Sequence, residues 1–188
     1  MDRYWFLTNT TYGNRLPGDP RGFVGRVTDR RPDDLESHNR MIHNRPGTPC
    51  DEDLPGLEEA SRSQMKGPPI RFELAHAQVA LEQFLETARF REWFIAAAAI
   101  MVDHFHLVVG VDGDPEPGKI LGDFKSWGTR RLSARFGEPP SKTWWTERGS
   151  KRRLKDEADV AGAVHYVLDE QPNPLIIWSP ESEASVEA

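Results

Sequence analysis

One cysteine in 188 residues, Cys50, leaves the chain without an internal disulfide and without a zinc site built from several thiolates. It reads as a loop thiol rather than a nucleophile. No apolar run approaches the ~20 residues that cross a membrane. The opening MDRYWFLTNTTYG also lacks the basic start and long apolar stretch of a signal peptide. The expectation is a soluble, cytoplasmic protein with no membrane partner. Tyrosine is scarce too: Tyr4 and Tyr12 lie near the start, and Tyr166 is the only one beyond them.

Positive charge is short overall, with 24 Lys and Arg against 30 Asp and Glu and a net charge of −6, which disfavours a nucleic-acid partner at first sight. The local balance is the reverse. From Lys119 to Lys155 there are eleven basic residues against three acids, while acids gather in Asp51 to Glu59 and Glu181 to Glu187. Within this basic half Arg130, Arg131, Lys151, Arg152 and Arg153 are candidates to track phosphates, and Trp127, Trp144 and Trp145 are interleaved to stack on bases. The plain alternative is a solvated face of ordinary surface cations.

What organises the chain is WFIAAAAIMVDHFHLVVGV, Trp93 to Val111. It reads as two apolar strands, Trp93 to Val102 and His104 to Val111, turning tightly at Asp103. Side chains alternate along a strand, so His104 and His106 share a face and Phe105 points into the opposite layer. Two imidazoles on one rigid strand suit one metal ion. Two satisfied histidines at a strand edge are the bland reading.

The remaining elements follow from periodicity. Arg3 to Thr11 is an aromatic and β-branched strand. Tyr12 to Pro69 is broken by Gly and Pro and reads as a long insertion (13–70), with a short helix from Leu57 to Met65 and with His38 and His43 as surface residues. Phe72 to Arg91 is helical, with Leu74, Ala77, Leu81, Phe84, Leu85 and Ala88 inward, Gln83 outward and His76 in solvent. Lys119 to Phe136 is a second helix that buries Ile120, Leu121, Phe124, Trp127 and Leu132. Gly122 and Gly128 mark a close approach or a tolerant helix. Thr143 to Leu154 is a last strand interrupted at Gly149. A final helix, Asp156 to about Glu170, buries Val160, Val164, Val167 and Leu168 and carries Tyr166 outside that stripe. At ~100° per residue Glu170 projects near Tyr166. Gln171, before Pro172, is a substitute if the helix frays. With the insertion removed, the order is βαββαβ, an α+β ferredoxin-like split fold. Its four-stranded antiparallel sheet would carry helices on one face and leave the other free, and a C-terminal helix would hold the tyrosine. One domain is expected over 1–178, followed by an acidic, disordered tail at 179–188.

The segments at Tyr4 to Thr11, DHFHLVVG (103–110), KSWGTRRL (125–132), WWTERGSKRRL (144–154) and HYVLDEQ (165–171) resemble the single-tyrosine HUH transposases. These are the insertion-sequence-200-like group that includes REP-associated tyrosine transposases. The resemblance covers roughly residues 1–12 and 70–175. It implies a DNA strand transferase acting on single-stranded or hairpin DNA, with Tyr166 as the nucleophile that forms a 5′-phosphotyrosine. His104 and His106 would be metal ligands, and Glu170 stands where relatives carry a polar third ligand, with Gln171 beside it. Mg²⁺ or Mn²⁺ is the implied cofactor, and two imidazoles favour Mn²⁺ intrinsically. Relatives include monomers and dimers, so a homodimer stays open. Two readings of other classes remain: a domesticated DNA-binding protein without strand transfer, and an iron site of two histidines and a carboxylate for oxygen chemistry.

Overall fold

A computed structural model describes residues 1–19, 28–29, 41–42 and 55–184. In chain order the elements are β1 (Arg3–Thr10), β2 (Thr28–Asp29), β3 (Met41–Ile42), α1 (Pro55–Ser63), α2 (Leu74–Arg91), β4 (Phe94–Ile100), β5 (His104–Val111), α3 (Pro117–Phe136), β6 (Ser150–Leu154), α4 (Glu157–Asp169), β7 (Ile176–Trp178) and α5 (Pro180–Ala184). His38, His43 and Cys50 lie outside the described residues. Within the insertion, β2 pairs with β3 in a separate two-stranded sheet, and α1 starts two residues before the expected helix.

The main sheet has five strands in the order β6-β1-β5-β4-β7, all neighbours antiparallel. The expectation of four strands is therefore corrected. The fifth is the short run Ile176, Ile177 and Trp178, which pairs with Ile100, Ala99 and Ala98 on the edge of β4. Three apolar residues after a proline carry too little period to announce a strand. The neighbouring N–H of Leu175 donates to the carbonyl of Ile100 at 2.9 Å and sets their register.

Alternation along β1 and β5 divides the core into two layers. Trp5, Leu7, Phe105, Leu107, Val109 and Val111 face α2 and α3, where they meet Phe84, Ile120, Phe124 and Leu132. Phe105 lies 4.9 Å from the Phe84 ring and 5.3 Å from that of Trp145, in the layer its position predicted. The opposite face is not left bare: Val108, Ala97, Ala99 and Leu154 pack under Ala163 and Val167 of α4.

Both helices of the first layer bury most of the residues expected and depart from them at a few positions. In α2 the sheet-facing set is Ala77, Ala80, Gln83, Phe84, Thr87 and Ala88, while Leu74 is exposed. Burial of Gln83 is tolerated because Thr87 Oγ1 donates to its carbonyl at 2.8 Å and accepts from its amide at 3.4 Å. His76 is half-buried rather than wholly in solvent. It accepts the N–H of Glu73 at the helix start and its ring lies 4.2 Å from that of Phe136. In α3, Trp127 turns outward and Gly128 takes the buried place, where a Cβ would lie 3.2 Å from Phe84.

The expected strand Thr143 to Leu154 forms only from Ser150 onward, apart from one isolated bridge between Thr11 and Trp145. Trp144 and Trp145 are 5% and 3% exposed, so they are core residues and not a platform for bases. Trp145 Nε1 donates to the Lys125 carbonyl and Trp144 Nε1 to Ser133 Oγ, so each indole is satisfied inside. Gly149 marks where the chain swings in beside β1: a Cβ there would sit 2.5 Å from the Thr8 carbonyl oxygen. Only a residue without a side chain lets the backbones come that close.

Candidate active site

The register of β1 against β5 sets Thr8 opposite His106 and Thr10 opposite His104, and β6 adds Arg152 opposite Phe6 and Ser150 opposite Thr8. These are the even positions of β1 and β5, so all of them face α4 rather than the α2 and α3 layer. The two imidazoles lie edge to face with centroids 4.8 Å apart. α4 is held at its start by Asp156, whose carboxylate accepts the Asp159 N–H at 2.8 Å. It packs through Ala163 and Val167, which turns Tyr166 toward the histidines. The Tyr166 ring lies 5.6 Å from that of His106 and 5.8 Å from that of Phe6, and it remains 39% exposed.

Each histidine is oriented through Nδ1. Asp103 Oδ1 stands 2.6 Å from His104 Nδ1, and a carboxylate only accepts, so in the neutral ring the lone pair sits on Nε2. Thr8 Oγ1 lies 2.7 Å from His106 Nδ1. His106 is 6% exposed, and burial, then His104, then Arg15 bring its pKa down to about 3. It is a neutral imidazole at physiological pH, the form that ligates metal. A ring nitrogen tied to a carboxylate or hydroxyl with the other nitrogen left for an ion is the usual arrangement around a bound metal. The two imidazoles therefore fit a divalent cation on the chemistry of their donors.

Glu170 caps the C-terminal end of α4, its N–H donating to the Tyr166 carbonyl. It follows α4, and its Oε1 lies 3.4 Å from Nε2 of His165, whose Nδ1 is 2.8 Å from Asp169. Among the described residues no group of three or more His, Cys, Asp and Glu side chains is arranged to hold a metal. Gln171 is nearly buried, and its amide donates to the Tyr166 carbonyl at 2.8 Å, tying down the end of α4.

The basic residues divide between faces. Arg152 shares the face of Tyr166, while Lys151 and Arg153 stand opposite Leu7 and Trp5, on the α3 side. Trp127, Arg130 and Arg131 ride exposed on α3, with the Arg130 guanidinium 4.5 Å above the Trp127 ring. Phe6, Thr8 and Arg15 were not singled out from the sequence. The signal for the first two is the alternation of β1, which becomes specific only when strand register is known. Arg15 belongs to the turn after β1 and is close enough to act electrostatically on His106.

Among the described residues no helix is long and apolar enough to cross a membrane. No family model and no curated protein matches the chain. A solved structure of the REP-associated tyrosine transposase bound to a REP hairpin matches it with a TM-score of 0.46 and 13% identity over 88% of this chain. The match covers 64% of the solved chain, so this protein spans just under two thirds of that length.

Proposed function

We propose that the protein is a DNA strand transferase of the single-tyrosine HUH type, which cleaves and rejoins single-stranded or hairpin DNA through Tyr166. The observation that carries the reading is the meeting of three groups from distant parts of the chain. His104 and His106 lie side by side on β5, and the exposed ring of Tyr166 is 5.6 Å from His106. Within the five-stranded sheet, β6-β1-β5-β4 reads as the split βαββαβ unit, with β7 appended at its edge.

A phenol of pKa ~10 is only about one part in a thousand ionised at neutral pH, so Tyr166 depends on positioning and on help with its proton. Phe6 and His106 set its ring, and Gln171 holds the backbone behind it. In the reaction the P–Oη bond forms as the P–O3′ bond breaks. The phenol proton passes to solvent and the departing 3′ oxygen takes one up, so rejoining needs no nucleotide. His104 and His106 would hold Mg²⁺ or Mn²⁺, with Glu170 or Gln171 as the proposed third ligand. Such an ion supplies charge stabilisation at a non-bridging phosphate oxygen. The basic residues on β6 and α3 would grip the phosphates outside the site.

The test is incubation of the chain with 5′- and 3′-labelled hairpin DNA and Mn²⁺, followed by a denaturing protein gel. A covalent adduct that carries the label from the 3′ side of the break is expected, and it should be lost in Tyr166→Phe and in His104→Ala. Hairpin binding in a shift assay without adduct on any DNA favours the second reading, a binding protein on the same fold. One feature supports that second reading: Glu170 is paired with His165 rather than gathered with the two histidines.

A further inference from the structure

We infer that Arg152 grips the scissile phosphate beside Tyr166, an inference that rests on the strand-transfer reading above. Among the described residues β6 is an edge strand, paired only with β1, and it carries three consecutive cations. Alternation separates them. Lys151 and Arg153 face the α3 side, and Arg152 alone of the three is opposite Phe6 on the tyrosine face.

The Phe6 ring joins the parts. It lies nearly parallel to the His106 imidazole, with 5.3 Å between centroids and 16° between planes, and it meets the Tyr166 ring edge-on at 5.8 Å. The Arg152 guanidinium carbon stands 5.4 Å from the centroid of that same ring. One phenylalanine therefore touches the candidate metal-binding imidazole, the candidate nucleophile and the guanidinium. Contact with a ring restrains a guanidinium plane while its N–H donors remain available at the edge. Among the described residues no hydrogen bond or ion pair engages the Arg152 side chain, and it is exposed.

An uncommitted planar cation beside a reactive phenol suits an anion with two oxygens in one plane, which a phosphodiester presents. The charge to be stabilised grows on the non-bridging oxygens as the P–Oη bond forms and the P–O3′ bond breaks, so a fixed guanidinium acts most strongly during transfer. Arg15 adds a second positive charge on this side, felt at His106, though it already has a partner of its own. A merely structural Arg152 would hold the strand edge on Phe6 and affect stability alone.

The experiment uses the full chain, Mn²⁺ and a labelled pool of hairpin oligonucleotides with randomised single-stranded flanks, read as adduct formation in a single turnover at saturating DNA. Arg152→Ala should slow the adduct about a hundredfold or more with an unchanged melting temperature. Arg152→Lys, which keeps charge without the planar fork, should recover only part of the rate. A methylphosphonate at the selected cleavage position also removes oxygen charge that the ion would stabilise, so it should slow both proteins, but the unaltered chain by a clearly larger factor than Arg152→Ala. An unaltered rate in Arg152→Ala, or equal slowing by the methylphosphonate in both proteins, overturns the inference and leaves the strand-transfer reading standing. If Arg152→Ala does not fold, a wild-type rate in Arg152→Lys overturns the inference. No adduct from the unaltered chain overturns both.

Discussion

At the scale of single residues, Thr8 shows how much of the site depends on a neutral, well-aimed imidazole. Its hydroxyl is the partner of His106 Nδ1 at 2.7 Å, in a setting where His106 is almost wholly buried. Thr8→Val keeps the shape of the side chain and removes that partner. Leaving one buried ring nitrogen unsatisfied should cost about 1–3 kcal/mol of stability, read as a lower urea midpoint. The rate of adduct formation should fall about 10- to 100-fold, since groups that orient metal-binding histidines have effects of that size. A lowered midpoint with an unchanged rate would place Thr8 in the fold and outside the chemistry.

At the scale of elements, α3 is fastened to the loop before β6 by Lys125. Its ammonium donates to the carbonyls of Thr146 at 2.6 Å and Glu147 at 2.8 Å. Burial first and then Lys151 lower its pKa to about 8, with Glu147 acting in the opposite sense. The folded value lies below the unfolded one, so below pH 8 both states carry the charge and the folded state bears its full cost. As pH rises from 8 toward 10.5 the folded state releases the proton first, and this residue's contribution to stability improves. The stability of the unaltered chain minus that of Lys125→Met should therefore rise across this window and be flat between pH 6 and pH 7, measured by urea denaturation. A flat difference throughout would mean that the ammonium is as well solvated in the fold as outside it.

At the scale of the whole molecule, the sheet separates two faces, and Tyr166 meets the histidines of its own chain. Mixing Tyr166→Phe with a His104→Ala, His106→Ala variant should therefore give no adduct, because neither chain holds a complete set. Recovered adduct on the labelling gel would show that α4 passes between copies. The helical layer of α2 and α3 carries Trp127, Arg130 and Arg131 on the far side of the sheet from the tyrosine, so DNA that reaches all the basic residues would have to pass around the β6 edge.

The sequence by itself determined the local facts that period and spacing control. Strand β5 begins at the residue expected, His104 and His106 share a face, Phe105 enters the other layer, and Tyr166 projects from its helix beside the packed stripe. Alternation and helical angle are set by backbone geometry, so a run of residues suffices to read them. Only the tertiary structure decided which strands are neighbours, and from that came the pairing of Thr8 with His106, the place of Arg152 on Phe6, and the fifth strand. The burial of Trp144 and Trp145 and the partnership of Glu170 with His165 have the same origin. Register and side-chain partners arise from contacts between segments far apart in the chain, where a one-residue slip would exchange every face.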